Sequence, residues 1–301
     1  MEARQAANPM DVLRGYEHAI GGFSGGILST LVCHPMDLLK VRFSANEGNA
    51  LIRPQYNGYA DAAAQIVRSQ GIRGLYQGLT PNLCGGALSW GLYLQIYNKV
   101  KTAITNTCRT YPEPLNNFAS GIVAGSIVMC FTNPIWVAKT RLCLQYEKQA
   151  TKQYSGMMDC IYKMYRNEGI AGLYRGFLPG LFGTSHGAVQ FMIYDFLKDW
   201  RCRDKGIEKG SKLSLFDYLA FSSISKMAAV TATYPYQVVR TRMQDHNIVA
   251  RSAVQTIRHA LVEEGPRAFY KGLLIANVRT LPATVVTLMT YEQIHHFIHG
   301  S

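Results

Sequence analysis

Three short clusters of ionisable and polar residues recur along the chain, each placed just after a proline inside a long apolar segment. The clustered residues stand two, five and seven positions after the proline. They are Asp37, Lys40 and Arg42 after Pro35; Trp136, Lys139 and Arg141 after Pro134; and Gln237, Arg240 and Arg242 after Pro235. Residues three positions apart lie on one face of a helix, so the first two members of each cluster can pair with those of the other clusters. The pattern predicts a gate shared by three related helices.

A second motif follows the first in each copy and has the same period. It consists of an acid or glutamine followed by glycine, and then an aromatic residue, any residue and glycine. Its glycines are Gly71 and Gly78, Gly169 and Gly176, and Gly265 and Gly272. The three prolines are 99 and 101 residues apart, which predicts three repeats, at residues 14–104, 112–204 and 213–300. A proline removes a backbone hydrogen bond and bends its helix, so we expect three bent helices that converge at one end.

Together the two motifs resemble the signature of the mitochondrial carriers, and the resemblance covers essentially the whole chain. It implies an all-α membrane protein with six transmembrane helices in three pseudo-symmetric repeats around a central water-filled cavity. Short amphipathic helices would lie on the matrix side. The resemblance also implies a multi-pass transporter of the inner mitochondrial membrane that opens alternately to its two sides, and not an enzyme.

The same resemblance suggests a lipid partner. It places a cardiolipin headgroup near the starts of the even-numbered helices, at Gly78, Gly176 and Gly272, where free backbone N–H groups favour phosphate. We expect the protein to function as a monomer.

Composition agrees with a polar-lined membrane protein that handles anions. Mean hydropathy is only −0.03, as expected if one face of every helix lines water, and simple hydropathy rules would then find too few spans. The net charge of +12 suits an anionic cargo, anionic lipid or nucleic acid, and the repeat argues against nucleic acid. The seven cysteines include no C-x-x-C pair, which predicts neither a metal site nor a disulfide framework. The first dozen residues lack the apolar core of a signal peptide, so we expect any mitochondrial address to be internal.

Helical geometry and the resemblance together predict which residues line the cavity. Lys226 lies eleven residues before Gln237, which returns it to within about 20° of the same helix face. A lysine facing lipid at that depth would cost roughly 2.5 to 3.5 kcal/mol, so we expect Lys226 to face inward. On the even helices, the resemblance and steps of four residues give the remaining candidates. These are Gly85, Gly86 and Tyr93; Phe182, Gly183 and His186; and Arg279.

The charge balance of the predicted gate is unusual. Asp37 is its single acid, because Trp136 and Gln237 stand where the family pattern has acids. The resemblance pairs Asp37 with Lys139, which leaves Lys40 and Arg240 without ionic partners and predicts a polyanionic cargo. Trp136 is interpreted as a stacking surface for a ring, with simple packing as the alternative.

The resemblance also predicts a second gate on the cytoplasmic side, at the ends of the even helices. Its members are Asn98 and Lys101, Asp195 and Lys198, and Glu292 and His295. Ion pairs can form between Glu292 and Lys101, and between Asp195 and a protonated His295.

Local runs narrow the expected cargo. The Pro134-Ile135-Trp136 run resembles the branch of the family that carries nucleotides and dinucleotide-like cofactors, and residues 176–187 resemble the members that carry FAD and folate. We therefore expect FAD, folate (as tetrahydrofolate) or both as transported cargo moving into the matrix, and no resident cofactor. An NAD or pyrimidine nucleotide exchanger is the alternative within the family, and a proton leak without cargo exchange is a further one.

One motif suggests a different class of protein. Residues 183–187 match the G-x-S-x-G pattern of serine hydrolases, with Ser185 as the nucleophile. That motif requires a strand before it and a helix after it, whereas Pro179 and Gly180 precede it here. A hydrolase would also leave the three repeats unexplained.

Overall fold

The fold is all-helical throughout the part of the chain that the structure, a computed structural model, describes. The described residues are 9–47, 54–107, 113–146, 153–206, 214–246 and 252–299, and they contain no strand. The α-helices are α1 (Pro9–Ala45), α2 (Tyr59–Gln70), α3 (Leu79–Thr107), α4 (Glu113–Cys143), α5 (Met157–Leu173), α6 (Phe177–Leu181), α7 (Ser185–Asp204), α8 (Leu215–Gln244), α9 (Ala253–His259), α10 (Leu273–Val278) and α11 (Thr280–His299).

Six long helical segments form a closed ring of three pseudo-symmetric repeats around a central cavity. The odd segments α1, α4 and α8 each contain the motif proline and contact one another. Each even segment packs on the odd helix of the next repeat: α3 on α4, α7 on α8, and α11 on α1. The α1–α11 contact is very close, because a Cβ at Gly25 would lie 2.9 Å from the carbonyl oxygen of Thr287. Small residues allow this approach of two membrane helices.

Two of the even segments begin in pieces, which the sequence did not predict. The second consists of α6, a short 3₁₀ stretch at Phe182–Thr184, and α7. The third consists of α10 and α11, which meet at Arg279. The first, α3, runs without a break. The 3₁₀ stretch tightens the second segment locally, whereas at Arg279 the backbone stays helical and its hydrogen bonds to and from residues four positions away continue.

Hydropathy alone detects only part of this arrangement, as the low mean value predicted. Within the described residues, two segments, Asn116–Cys143 and Pro266–Phe297, are long and apolar enough to cross a membrane by composition. The other long segments carry more polar residues.

The glycine that ends the second motif holds each even segment against the gate of the next repeat. Gly78, Gly176 and Gly272 all have positive φ, at 78°, 71° and 89°, a conformation that glycine adopts without steric cost. A Cβ at each would also lie 3.1 Å from a main-chain oxygen of the next gate base. Those oxygens belong to Lys139, Arg240 and Lys40, respectively. The motif glycines therefore position the gate bases.

Candidate functional site

Asp37, the single acid of the predicted gate, pairs with Arg279. Its Oδ1 lies 2.8 Å from Nε of Arg279, and its Oδ2 accepts a longer bond of 3.4 Å from the Asn82 amide. The predicted pairing of Asp37 with Lys139 is wrong, since no ion pair between them occurs in the described structure. Arg279, which stands where α10 meets α11, thus takes the partner that the resemblance assigned to Lys139.

Lys40 takes a neutral partner in the gate. Its ammonium donates a hydrogen bond of 2.8 Å to the side-chain oxygen of Gln237 and lies 5.7 Å from the ring centre of Tyr234. Gln237 and Lys40 are the second-position and fifth-position residues of adjacent repeats. The predicted geometry of the gate therefore exists here, with an amide where the family pattern has a carboxylate.

Lys139 lies over an aromatic ring. Its ammonium is 5.2 Å from the ring centre of Trp136, a cation–π arrangement. The indole also packs against Gly85, where a Cβ would lie 3.4 Å from the ring and 3.1 Å from Ile135. A Cβ at Gly86 would meet no described atom within 4 Å, so α3 adjoins open space at that position.

Arg240 has no acidic partner in the described part of the chain. Its guanidinium packs against Gly180, where a Cβ would lie 3.2 Å from Cζ. Its Nη2 is buried and makes no hydrogen bond to a described residue. A buried donor without a partner is costly, so an acceptor that reached Nη2 would bind there favourably.

Lys226, His186 and Arg279 come together on the wall formed by the second and third repeats. Lys226 is half-buried, lies within electrostatic range of Arg279, and forms no hydrogen bond or ion pair with another described residue. His186 accepts or donates a 3.0 Å bond with the hydroxyl of Thr233, and the charges of Lys226 and Lys40 both reach it. This wall is strongly positive.

One of two predicted cavity residues of the second repeat lies elsewhere. The Phe182 side chain is 69 % exposed and lines an apolar groove of about 970 Å³ with Ile257 and Tyr270. Gly183 packs against the hydroxyl of Tyr236. The prediction assumed a continuous α-helix, whereas the 3₁₀ stretch turns about 120° per residue instead of 100°, which accounts for the position of Phe182. The cavity role of Gly183 stays a prediction.

Tyr93 belongs to a separate aromatic group on α3. Its ring stacks on that of Tyr97, with centres 5.7 Å apart, and meets Trp90 edge-on at 6.2 Å. A Cβ at Gly121 of α4 would lie 3.6 Å from the Tyr93 hydroxyl. Tyr93 therefore lies where α3 meets α4.

The opposite end of the ring carries the predicted cytoplasmic gate. Of its residues, Asn98, Asp195, Glu292 and His295 are exposed and Lys101 and Lys198 are half-buried. Glu292 and Lys101 form no ion pair with each other within the described ranges, and His295 stacks on Tyr291 of its own helix at 6.4 Å. The pairings at this end stay predictions. At the other end, where the odd helices meet, Asp37 is buried instead.

The seventh-position arginines form a connected ring that the sequence reasoning missed. We call Arg42, Arg141 and Arg242 the arginine collar; all three are buried. Each donates from Nε to a main-chain oxygen at the end of the next odd helix: Arg42 to Cys143 at 3.0 Å, Arg141 to Gln244 at 3.3 Å and Arg242 to Ser44 at 3.2 Å. The collar therefore joins every repeat to the next.

Each collar arginine also binds the second motif of its own repeat. Arg141 pairs with Glu168, with Nη2 and Oε2 2.8 Å apart, and Arg242 pairs with Glu264 at 2.6 and 3.1 Å. Arg42 instead meets the amides of Gln70 at 3.4 Å and Gln77 at 3.0 Å. The second motif was the sequence signal for these contacts, because it places one acid or glutamine before the first glycine in each repeat.

The collar acids have lowered pKa values. For Glu168, the hydrogen bond from Arg141 holds the pKa of the carboxyl below its usual range. For Glu264, burial raises the pKa, but the hydrogen bonds from Arg242 and Lys271 outweigh it and leave the pKa lowered. Both acids are therefore charged at neutral pH.

The hydrolase alternative fails on geometry. Ser185 begins α7 after a helix and a 3₁₀ stretch, not after a strand, and its hydroxyl donates 2.6 Å to the carbonyl of Phe182. In the described ranges, no group of His, Cys, Asp and Glu could hold a metal ion either.

Comparison with known proteins gives the same classification over the whole chain. The model of the mitochondrial carrier protein family matches residues 11–107, 111–205 and 211–301. A relative from Arabidopsis thaliana, folate transporter 1, chloroplastic, is 36 % identical over 93 % of this chain and 94 % of its own length. The mitochondrial FAD carrier protein of Saccharomyces cerevisiae is 32 % identical, over 93 % and 96 %. The nicotinamide adenine dinucleotide transporter 1, chloroplastic, of Arabidopsis thaliana is 33 % identical, over 93 % and 91 %. The chain therefore belongs to the mitochondrial carrier proteins, and it is a membrane transporter of that family rather than an enzyme.

Proposed function

We propose that the protein carries FAD, folate (as tetrahydrofolate) or both across the inner mitochondrial membrane into the matrix, by alternating access. The observation that carries the proposal is the positive charge at the end of the cavity where the three odd helices meet. Arg279 lies within electrostatic range of both Lys226 and Lys40, and the last two both lie within range of His186. Asp37 is the single acid among the described gate residues. A cargo with several negative charges balances this cluster.

The ring of the cargo also has a matching surface. The indole of Trp136 packs against Gly85, and the open space at Gly86 on the same helix leaves width for a flat ring. A pyrophosphate or a pair of carboxylates would then reach the bases of the opposite wall, where the fork of Arg279 suits planar anions. Relatives named as a folate transporter and as an FAD carrier support this choice.

An exchanger of NAD or pyrimidine nucleotides is the second candidate. NAD has the same pyrophosphate as FAD, so the positive wall serves it equally well, and one relative of similar identity is named as a nicotinamide adenine dinucleotide transporter. The two candidates differ in the ring that must fit beside Trp136.

Uptake of labelled cargo into liposomes tests both candidates. We expect FAD or tetrahydrofolate to enter liposomes that contain the wild-type protein, and Arg279→Ala to abolish this uptake without loss of folding. Arg203→Ala removes an exposed base at the end of α7 and should leave uptake unchanged. Entry of NAD or UTP alone would overturn the cargo assignment, and full transport by the Arg279 variant would remove Arg279 from the site.

We also propose that cardiolipin binds at the boundary between the first two repeats. A cavity of about 220 Å³ there is lined by Arg73, Gln77, Gly78 and Gly156. The starts of α3 and α5 face it, and Nε2 of Gln77 is buried without a described hydrogen-bond partner. Helix starts and free donors favour a phosphate group. Native mass spectrometry should show bound cardiolipin that is lost more easily from Arg73→Ala.

A further inference from the structure

A short chain of hydrogen bonds on α8 ends at His186 of α7. The hydroxyl of Thr233 donates to the main-chain oxygen of Ala229 at 2.6 Å. Nδ1 of His186 lies 3.0 Å from the oxygen of the same hydroxyl. The two bonds share one hydroxyl group, so the first decides what the second can be.

The single proton of the Thr233 hydroxyl fixes the tautomer of His186. A main-chain oxygen accepts hydrogen bonds and donates none, so at 2.6 Å the hydroxyl proton must lie between Thr233 and Ala229. The Thr233 oxygen then offers only lone pairs to the ring, and Nδ1 of His186 must carry a hydrogen. A neutral imidazole has one donor and one acceptor nitrogen. Nε2 is therefore the acceptor.

Nε2 of His186 is available to a ligand. The two nitrogens of an imidazole point away from one another, so Nε2 faces away from Thr233. It makes no hydrogen bond to a described residue, and it is not one of the fully buried atoms without a partner. The side chain as a whole is half-buried, which leaves Nε2 within reach of a molecule in the cavity.

The neighbours of His186 on this wall have the opposite hydrogen-bonding character. The charges of Lys226 and Lys40 reach His186, and Arg279 lies within electrostatic range of Lys226. Ammonium and guanidinium groups donate hydrogen bonds and accept none. Nε2 thus places one acceptor beside a set of cations, where an anionic group and a hydroxyl next to it can bind side by side.

We propose that His186 is a specificity-determining residue, whose Nε2 accepts a hydrogen bond from a ribose hydroxyl of the cargo while the neighbouring bases hold the cargo phosphates, and that Thr233 positions it. This inference rests on the proposed binding of an anionic cargo at the positive wall. In a dinucleotide the ribose lies directly next to the pyrophosphate, which is the arrangement that this wall requires. FAD and NAD have such a hydroxyl and tetrahydrofolate does not, so His186 favours the dinucleotides.

Equilibrium binding of two nucleotides to the purified full-length protein tests the acceptor role, at about pH 8, where an ordinary imidazole is neutral. The probes are ADP and its dideoxyribose analogue, which has the same base and phosphates but lacks both ribose hydroxyls. We expect the wild type to bind ADP about fivefold more tightly, the effect of one neutral hydrogen bond, and His186→Phe to bind the two probes equally. His296→Phe replaces an exposed histidine of α11 and should keep the wild-type preference.

Inorganic pyrophosphate is the control for folding, because it has no sugar and its Kd should be the same in the wild type and in His186→Phe. If that variant weakens pyrophosphate as much as ADP, or still prefers ADP to the analogue, His186 does not bind the hydroxyl and the proposal is overturned. Pyrophosphate binding by the wild type without a preference for ADP overturns the role of His186 and leaves the proposed function intact. No binding of pyrophosphate or ADP overturns both.

Nitrogen NMR of protein with labelled histidines tests the positioning by Thr233 without any ligand. We expect His186 to be protonated at Nδ1 in the wild type and in Thr233→Ser, which keeps the hydroxyl. Thr233→Val has a side chain of the same shape without the acceptor and should lose this preference. The signal is assigned from its absence in His186→Phe. A wild-type ring protonated at Nε2, or an unchanged tautomer in Thr233→Val, would contradict the proposal.

Discussion

The gate and the arginine collar lie on the same three helices, two residues apart in sequence, yet their charges are arranged in opposite ways. Collar arginines are saturated, since each binds an acid or amide of its own repeat and a main-chain oxygen of the next. Gate bases are not, since Lys40 has an amide, Lys139 an indole and Arg240 a buried Nη2 without a described partner. In the collar, ion pairs therefore lie inside a repeat, and hydrogen bonds to main-chain oxygens join one repeat to the next.

This difference explains how three rigid units can move against one another. The collar carboxylates are bound within a repeat, where nothing has to separate during transport. Between repeats, the collar uses neutral carbonyl acceptors, and the gate has one ion pair, Asp37 with Arg279. Each collar bond between repeats has one charged partner, the guanidinium, and contributes about 1.5 to 3 kcal/mol, less than the roughly 3 to 5 kcal/mol lost when a buried ion pair is broken.

Removal of a collar acid should have the largest effect. In Glu264→Ala, the buried guanidinium of Arg242 loses its carboxylate, and a broken buried pair costs about 3 kcal/mol. We expect a clear fall in the apparent melting temperature of the purified protein in detergent. A variant as stable as the wild type would show that the collar pairs contribute little and would remove the contrast with the gate.

Adding an acid to the gate should come next. Trp136→Asp places a carboxylate at the position equivalent to Gln237, facing the unmet donor of Arg240, and makes the gate resemble the collar. We expect exchange in liposomes to slow about tenfold, which corresponds to about 1.4 kcal/mol in the barrier. Trp136→Asn, which adds no charge, is the matched control and should slow exchange less; unchanged or faster exchange in Trp136→Asp would contradict the gate argument.

A carboxylate added to the collar in the first repeat should raise the stability of the protein, by a smaller amount. Gln70→Glu gives Arg42 the carboxylate that Arg141 and Arg242 already have, which converts a hydrogen bond to a neutral amide into an ion pair, the stronger kind of contact. We expect the apparent melting temperature to rise by about 2 °C. Gln65→Glu adds the same charge on the exposed side of α2 as a control, and an equal rise in that variant would point to general charge effects.

Acidification should produce the smallest effect, and it reports on the two collar acids. Because the folded-state pKa values of Glu168 and Glu264 are lowered, their contribution to stability is present above the unfolded value of about 4.3 and is lost as the pH falls through the lower folded values. The double variant Glu168→Gln, Glu264→Gln should therefore lose less stability than the wild type between pH 5 and about 3. If the wild type and the double variant lose the same stability across this pH range, other groups control the stability of the protein in acid.

The comparison of sequence and structure shows where prediction from pattern succeeds. The membrane-carrier fold was predicted and is confirmed. The inward placement of Lys226 was predicted from one continuous helix, and α8 is indeed unbroken around it. Phe182 was misplaced because its segment contains a 3₁₀ stretch that no local residue pattern revealed.

The sequence by itself determined the three repeats, the proline inside each odd helix and the glycines that hold the even segments close to the gate. These features follow from local rules, since a proline or a glycine with positive φ acts on its own segment whatever surrounds it. The tertiary structure alone decided which partner each charge takes, most clearly Arg279 rather than Lys139 for Asp37. The competing partners lie on different repeats, and the distances between them depend on how the helices cross and where they break, which no single segment encodes.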